Sequence, residues 1–232
     1  KLGVKILCVL AVFYSLGVTA QTSESKYDHR ELFHPLLNFQ PGNEYRTASG
    51  KPGPKYWQNR ADYKINATLD TTASLLKGEV EIIYTNNSPD ELEFIWLQLD
   101  QNSLSDTARG AKTTPITGGR FGNVDFAGGN IINQVSIQEG KGKFETATFV
   151  VTDTRMQIRL QKPMAANGDV IRIKVAYEFK IPPYGSDRMG IQPSKYGAIY
   201  EMAQWYPRMC VYDDIDGWNV LPYLGAGEFY LN

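Results

Sequence analysis

The chain has 232 residues, 42% hydrophobic and 12% aromatic, with 21 Gly and 12 Pro, the composition of a folded protein with a sizeable core rather than a disordered or fibrous one. Its 24 basic and 25 acidic residues leave a net charge of -1, so no long-range positive field gathers phosphate backbones and nucleic acid is excluded as a first choice of partner. Two Cys and two His are too few for a disulfide framework or for most metal sites.

Residues 1–20 read as an export signal. Lys1 and Lys5 precede an uncharged apolar run over residues 6–18, and Val18-Thr19-Ala20 sets small side chains where a signal peptidase cleaves. The run is shorter than the roughly 20 apolar residues a spanning helix needs, so the mature protein, starting at Gln21, is expected outside the cytoplasm, periplasmic or extracellular, and free of the membrane. Cys8 raises lipid attachment, but Lys5 stands where a bacterial lipobox has an aliphatic residue, and plain secretion is the better reading. Cleavage leaves Cys210 as the single thiol, a small hydrophobe unless a basic neighbour activates it. The first residue is Lys and the last, Asn232, follows the apolar Phe229-Tyr230-Leu231; the chain reads as cut at both ends.

Residues 21–55 have no sustained period and close on the breakers Gly50-Lys51-Pro52-Gly53-Pro54; they read as an irregular tail or linker ahead of a domain over 56–232. From there strands are expected. Tyr63, Ile65, Ala67 and Leu69 alternate with polar residues, which puts them on one face of a pleated strand. Residues 76–85 repeat the pattern, Asn86-Asn87-Ser88-Pro89-Asp90 supplies a turn, and residues 92–99 carry apolar groups on both faces, as a central strand does. Residues 100–130 form a long Gly-, Thr- and Asp-rich connection. Within it Gly118-Gly119-Arg120-Phe121-Gly122 lacks the Lys-Ser/Thr pair of a phosphate loop. Two further strands are expected, one around Met156, Ile158 and Leu160, the other around Ile171, Ile173, Val175, Tyr177, Phe179 and Ile181. No window of helical period matches these, so the fold class is all-β, a sandwich or curved antiparallel sheets.

Residues 199–214 depart from alternation and gather aromatic rings beside carboxylates, an amide and a guanidinium. That mixture suits either a partly enclosed binding surface or an aromatic core edge. Glu201 with Asp213 or Asp214 offers the two carboxylates of a glycosidase, a pairing any β domain can provide. Asp214-Ile215-Asp216-Gly217 fails as a calcium loop, because Gly217 at the sixth position puts Tyr212 first; a turn is expected. His29 and His34 lie in the tail with no His-Glu-x-x-His run, so the chain cannot build a zinc-peptidase site by itself. Asn66-Ala67-Thr68 and Asn86-Asn87-Ser88 have the form of glycosylation sequons.

Several pieces, in order, resemble one family. Gln204-Trp205-Tyr206-Pro207-Arg208, Tyr212-Asp213-Asp214, Gly217-Trp218-Asn219 and Leu221-Pro222-Tyr223-Leu224-Gly225-Ala226-Gly227-Glu228-Phe229-Tyr230 carry the strongest likeness. Residues 62–70, the stretch from Tyr84-Thr85-Asn86-Asn87-Ser88-Pro89 to Leu97-Gln98-Leu99-Asp100-Gln101-Asn102, and Gly185-Ser186-Asp187-Arg188-Met189-Gly190 extend it. Over roughly residues 55–232 the chain resembles the N-terminal domain of secreted bacterial metallopeptidases of the aminopeptidase N family.

The resemblance implies a saddle-shaped, sandwich-like β domain preceding a thermolysin-like catalytic domain of the same polypeptide. That second domain holds the zinc, its His-Glu-x-x-His and Glu ligands, and the Gly-x-Met-Glu-Asn loop that grips the substrate's amino group. The chain then corresponds to the non-catalytic part of a zinc aminopeptidase, incomplete at its C-terminal side and inactive alone. In the family a Gln or Glu from the last part of the β domain binds the N-terminal end of the peptide substrate. Gln204 is the candidate here and Glu201 its rival, because the spacing from Gln204 to Asp213 is shorter than in more distant members. The alternative is an independent secreted β-sandwich that binds peptide or carbohydrate through Trp205, Tyr206, Tyr212 and Trp218.

Overall fold

A computed structural model describes residues 41–113, 126–183 and 189–222. Residues 1–20, read as an export signal, with Cys8, the two histidines, the glycine-rich piece at 118–122, and residues 184–188 and 223–232 of the pieces that carry the resemblance lie outside the described residues. The described chain is all-β and antiparallel, with thirteen strands. Strands β1 (Arg60–Asp70), β2 (Leu75–Asn86), β8 (Asp169–Lys180), β4 (Ile131–Glu139) and β5 (Glu145–Thr146) make a five-stranded sheet in that spatial order. Strands β11 (Arg208–Met209), β3 (Leu92–Gln98), β7 (Arg155–Met164) and β6 (Phe149–Thr152) make a four-stranded sheet. Two hairpins complete the set: β9 (Met189–Ser194) with β10 (Gly197–Met202), and β12 (Tyr212–Asp213) with β13 (Gly217–Trp218).

Period-two alternation sets the register. Val80 faces Val175, Ile82 faces Ile173 and Tyr84 faces Ile171 across β2 and β8, while Val135 and Ile137 of β4 meet Val175 and Ile173 from the other side. In the second sheet Ile95 pairs with Ile158 and Leu97 with Met156. All of these are buried and belong to one apolar cluster. Each sheet thus turns one face to a shared core, the arrangement of a sandwich. The expected central strand at 92–99 lies inside its sheet between β7 and β11, with Phe94 and Trp96 edge-to-face on its other side.

The apolar face of β1 is covered over only part of its length. Tyr63 and Ile65 are half-buried against the core, whereas Ala67 and Leu69 are exposed. β1 pairs with β2 alone, so its far end has neighbours on one side. Strand β4 carries no clean alternation because the register shifts between Ile132 and Gln134, a bulge that moves later side chains to the opposite face. The connection after β3 begins with a 3-10 turn (Asp100–Leu104) and a one-turn helix α1 (Arg109–Thr113). No helix among the described residues is long and apolar enough to cross a membrane.

The described part of the tail is bound to the rest of the chain. Arg46 bridges to Pro52 through the backbone, and its guanidinium donates twice to the carboxylate of Asp214, at 3.1 and 2.5 Å. Glu44 and Lys55 form an ion pair at 2.7 Å.

Candidate functional site

The turn after β3 organises the segment that carries Gln204. Leu99 ends an apolar strand, and the next three residues, Asp100, Gln101 and Asn102, are polar yet at most 9% exposed. Buried polar groups of this kind require partners, and these find most of theirs far along the chain. Both oxygens of Asp100 accept from the buried Arg208 guanidinium, at 2.8 and 2.9 Å, a planar two-point match that fixes orientation as well as distance. The Gln101 side-chain nitrogen donates to the Ala203 carbonyl at 2.8 Å and to the Gln204 carbonyl at 3.3 Å. Asn102 donates to the Asp153 carbonyl at 2.9 Å and accepts from the Asn130 backbone at 2.8 Å. One turn thereby anchors residues 203–208 at both ends.

Gln204 sits between those anchors with φ +45°, a left-handed backbone that a residue with a long side chain rarely adopts. It is partly buried, and its side-chain amide has no partner among the described residues. Glu201 lies on β10 opposite Gly190 and is exposed. The β9–β10 hairpin that carries it is held by Met189, which is buried, by Tyr200 and Met202 packed on the core, and by the Tyr200 hydroxyl donating to the Thr71 carbonyl at 3.1 Å.

The four rings of the alternative reading fall into two groups, both packed on the core. Trp205 meets Tyr206 edge-on at 5.3 Å, and Tyr206 meets Tyr63 at 5.7 Å. Tyr212 contacts Trp218 at 5.2 Å and Trp57 at 5.9 Å, and Trp218 stacks over Tyr84. The Tyr212 hydroxyl donates to Asp90 at 2.9 Å; burial, reinforced by that carboxylate, pushes its pKa up to about 12. Of the two readings open for these rings, their contacts describe a core edge.

The carboxylates near the rings are equally engaged. Asp213 accepts from the backbone N–H groups of Ile215 and Asp216, both at 2.9 Å, closing the β12–β13 turn, which Gly217 completes at φ +66°. The expected turn is therefore present. Asp214 is tied to Arg46, whose guanidinium holds its carboxyl below the usual carboxylate range. Asp213 thus serves the turn and Asp214 the contact with the tail. Cys210 is buried, and burial pushes its thiol up to about 12, the environment of an inert thiol rather than a nucleophile. Among the described residues no three of His, Cys, Asp and Glu converge to hold a metal ion.

Arg208, Asp100 and Gln101 are the residues sequence reasoning did not assign. The signal for the last two was a strand of apolar residues running without Gly or Pro into Asp-Gln-Asn, a place where buried polar side chains need distant partners. A crevice of about 640 Å³ between β4, β5 and β7 shares no lining residue with the Gln204 segment. Compared with models of known families the chain matches none, and no curated protein matches it.

Proposed function

We propose that this chain is the exported, non-catalytic β domain of a zinc metallo-aminopeptidase, and that it receives the N-terminal end of a peptide substrate through Gln204, with Glu201 of β10 the rival residue for that contact. One observation supports this most: Gln204 occupies a strained left-handed position on an anchored segment while its amide has no partner among the described residues. Backbone strain of this kind persists where surrounding structure enforces it and is concentrated at ligand clamps. The segment that carries Gln204 also bears the strongest family likeness, Gln204-Trp205-Tyr206-Pro207-Arg208.

The chemistry asked of these residues is modest. A peptide's N-terminal ammonium has three N–H donors, and the Gln204 side-chain oxygen is an acceptor that stays neutral at any working pH. Glu201, the rival residue, would offer carboxyl oxygens as acceptors in its place. Hydrolysis belongs to the neighbouring zinc domain, absent from this chain, where the metal would activate water and polarise the scissile carbonyl. The present domain contributes position and selection for a free amino terminus.

Substitution tests the assignment in the complete gene product. Gln204→Ala removes a hydrogen bond to a charged group, a contact worth about 1.5–3 kcal/mol, and is expected to raise KM for aminoacyl reporter substrates roughly tenfold or more. An unchanged KM would take Gln204 out of the site. The reading as an independent binding module has less support, since its four rings are engaged with one another and with the core.

A further inference from the structure

We infer that Gln101 is a positioning residue for Gln204: its buried amide holds the strained backbone that aims the Gln204 side chain at the substrate's amino terminus. The inference rests on the proposed role of Gln204 and extends it to a residue that touches no substrate.

Three observations carry it. The Gln101 nitrogen donates to two successive carbonyls, those of Ala203 and Gln204, so it grips the peptide units on both sides of the Gln204 α-carbon. Gln204 is one of four described non-glycine residues with positive φ, beside Ser74, Asp153 and Asn167. Ser, Asp and Asn make local side-chain bonds that ease this conformation; a Gln does so poorly, and an external clamp is the physical substitute. Finally, the Gln101 side-chain oxygen is buried without a hydrogen-bond partner. Its amide cannot be turned over to cure this, because an oxygen would then face two carbonyl oxygens. The donor end is therefore the end that meets residues 203 and 204.

This asymmetry makes the function separable from stability. Gln101→Met keeps the shape, removes the orphaned oxygen along with the donor, and so relieves one buried cost while adding another. In the complete gene product, Gln101→Met is expected to raise KM for aminoacyl reporters about fivefold, with kcat and melting temperature little changed, the size expected from losing a neutral hydrogen bond. Gln101→Asn, whose shorter amide falls away from both carbonyls, is expected to do the same and carries the test should the methionine variant not fold.

The double variant Gln101→Met with Gln204→Ala gives the decisive comparison. If Gln101 acts through Gln204, its KM matches that of Gln204→Ala alone, whereas a merely structural effect would add to it. Wild-type KM in both Gln101 variants, or simple additivity in the double variant, would overturn the inference while leaving the role of Gln204 intact. A Gln204→Ala enzyme with unchanged KM would instead overturn the underlying reading, and this inference with it.

Discussion

Arg208 and Asp100 are buried at 7% and 6% exposure, more than a hundred residues apart in sequence, and each satisfies the other's charge with two hydrogen bonds. Such a pair adds little over a well-packed apolar replacement, yet removing one partner strands a charge in the interior. Asp100→Ala is therefore expected to destabilise the domain by about 3–5 kcal/mol, read as a shift of the urea midpoint. Replacing both members by apolar residues of matching volume should restore much of that loss. Single residues were the least legible scale. The run Asp100-Gln101-Asn102 can be read in the sequence, but its partners at 203, 204 and 208 are set by the pairing of β11 with β3, where Arg208 meets Gln98 and Met209 meets Leu97. A contact of two residues in a ladder leaves no periodic trace. Gln204 could be singled out only through its place beside Trp205-Tyr206-Pro207; its positive φ had no sign such as Gly or Asn at that position.

At the scale of elements, strands with an uninterrupted period of two were legible, and so was the apolar run of β3 despite its register shift between Leu92 and Phe94, whereas bulged β4 and the two-residue strands were not. β8 keeps strict alternation over its whole length and sits in the middle of the larger sheet. β4 lies beside it but shifts register after Ile132, so no single template fits its sequence. β2 shows a further constraint: Gly78 stands opposite Tyr177, and a Cβ at Gly78 would lie 2.5 Å from the ring of Tyr177. Gly78→Val forces that buried ring off its position, and overpacking of this kind is expected to cost about 1–3 kcal/mol in thermal or chemical unfolding. The tail and the β12–β13 hairpin are joined through Arg46 and Asp214, with side chains 28% and 6% exposed. Because the folded-state pKa of Asp214 is lowered from 3.8, the pair's contribution is complete above about pH 4 and is lost as pH falls through the lowered value. Asp214→Asn should accordingly be less stable than wild type near neutrality, by about 1 kcal/mol, with the two melting curves converging towards pH 2. A difference that persisted undiminished in acid would show that the pair's charge is not what stabilises the junction.

At the scale of the molecule, an all-β sandwich followed from the absence of helical period and the number of alternating segments, and the described chain has that architecture. Function is a separate matter, because a sandwich hosts many activities. The proposed function rests on the Gln204 segment, held by a buried turn and carrying a left-handed backbone at Gln204. On the proposed function, this β domain receives the amino terminus of the substrate and a metal-bearing domain of the complete gene product cuts. The direct measurement is zinc content together with hydrolysis of aminoacyl reporters, made in parallel on the purified 232-residue chain and on the complete gene product. The account predicts about one zinc per molecule and aminopeptidase activity for the complete product, as expected of a catalytic zinc site, and neither property for the 232-residue chain. Stoichiometric zinc and peptide cleavage by the 232-residue chain alone, or their absence from the complete product, would contradict it.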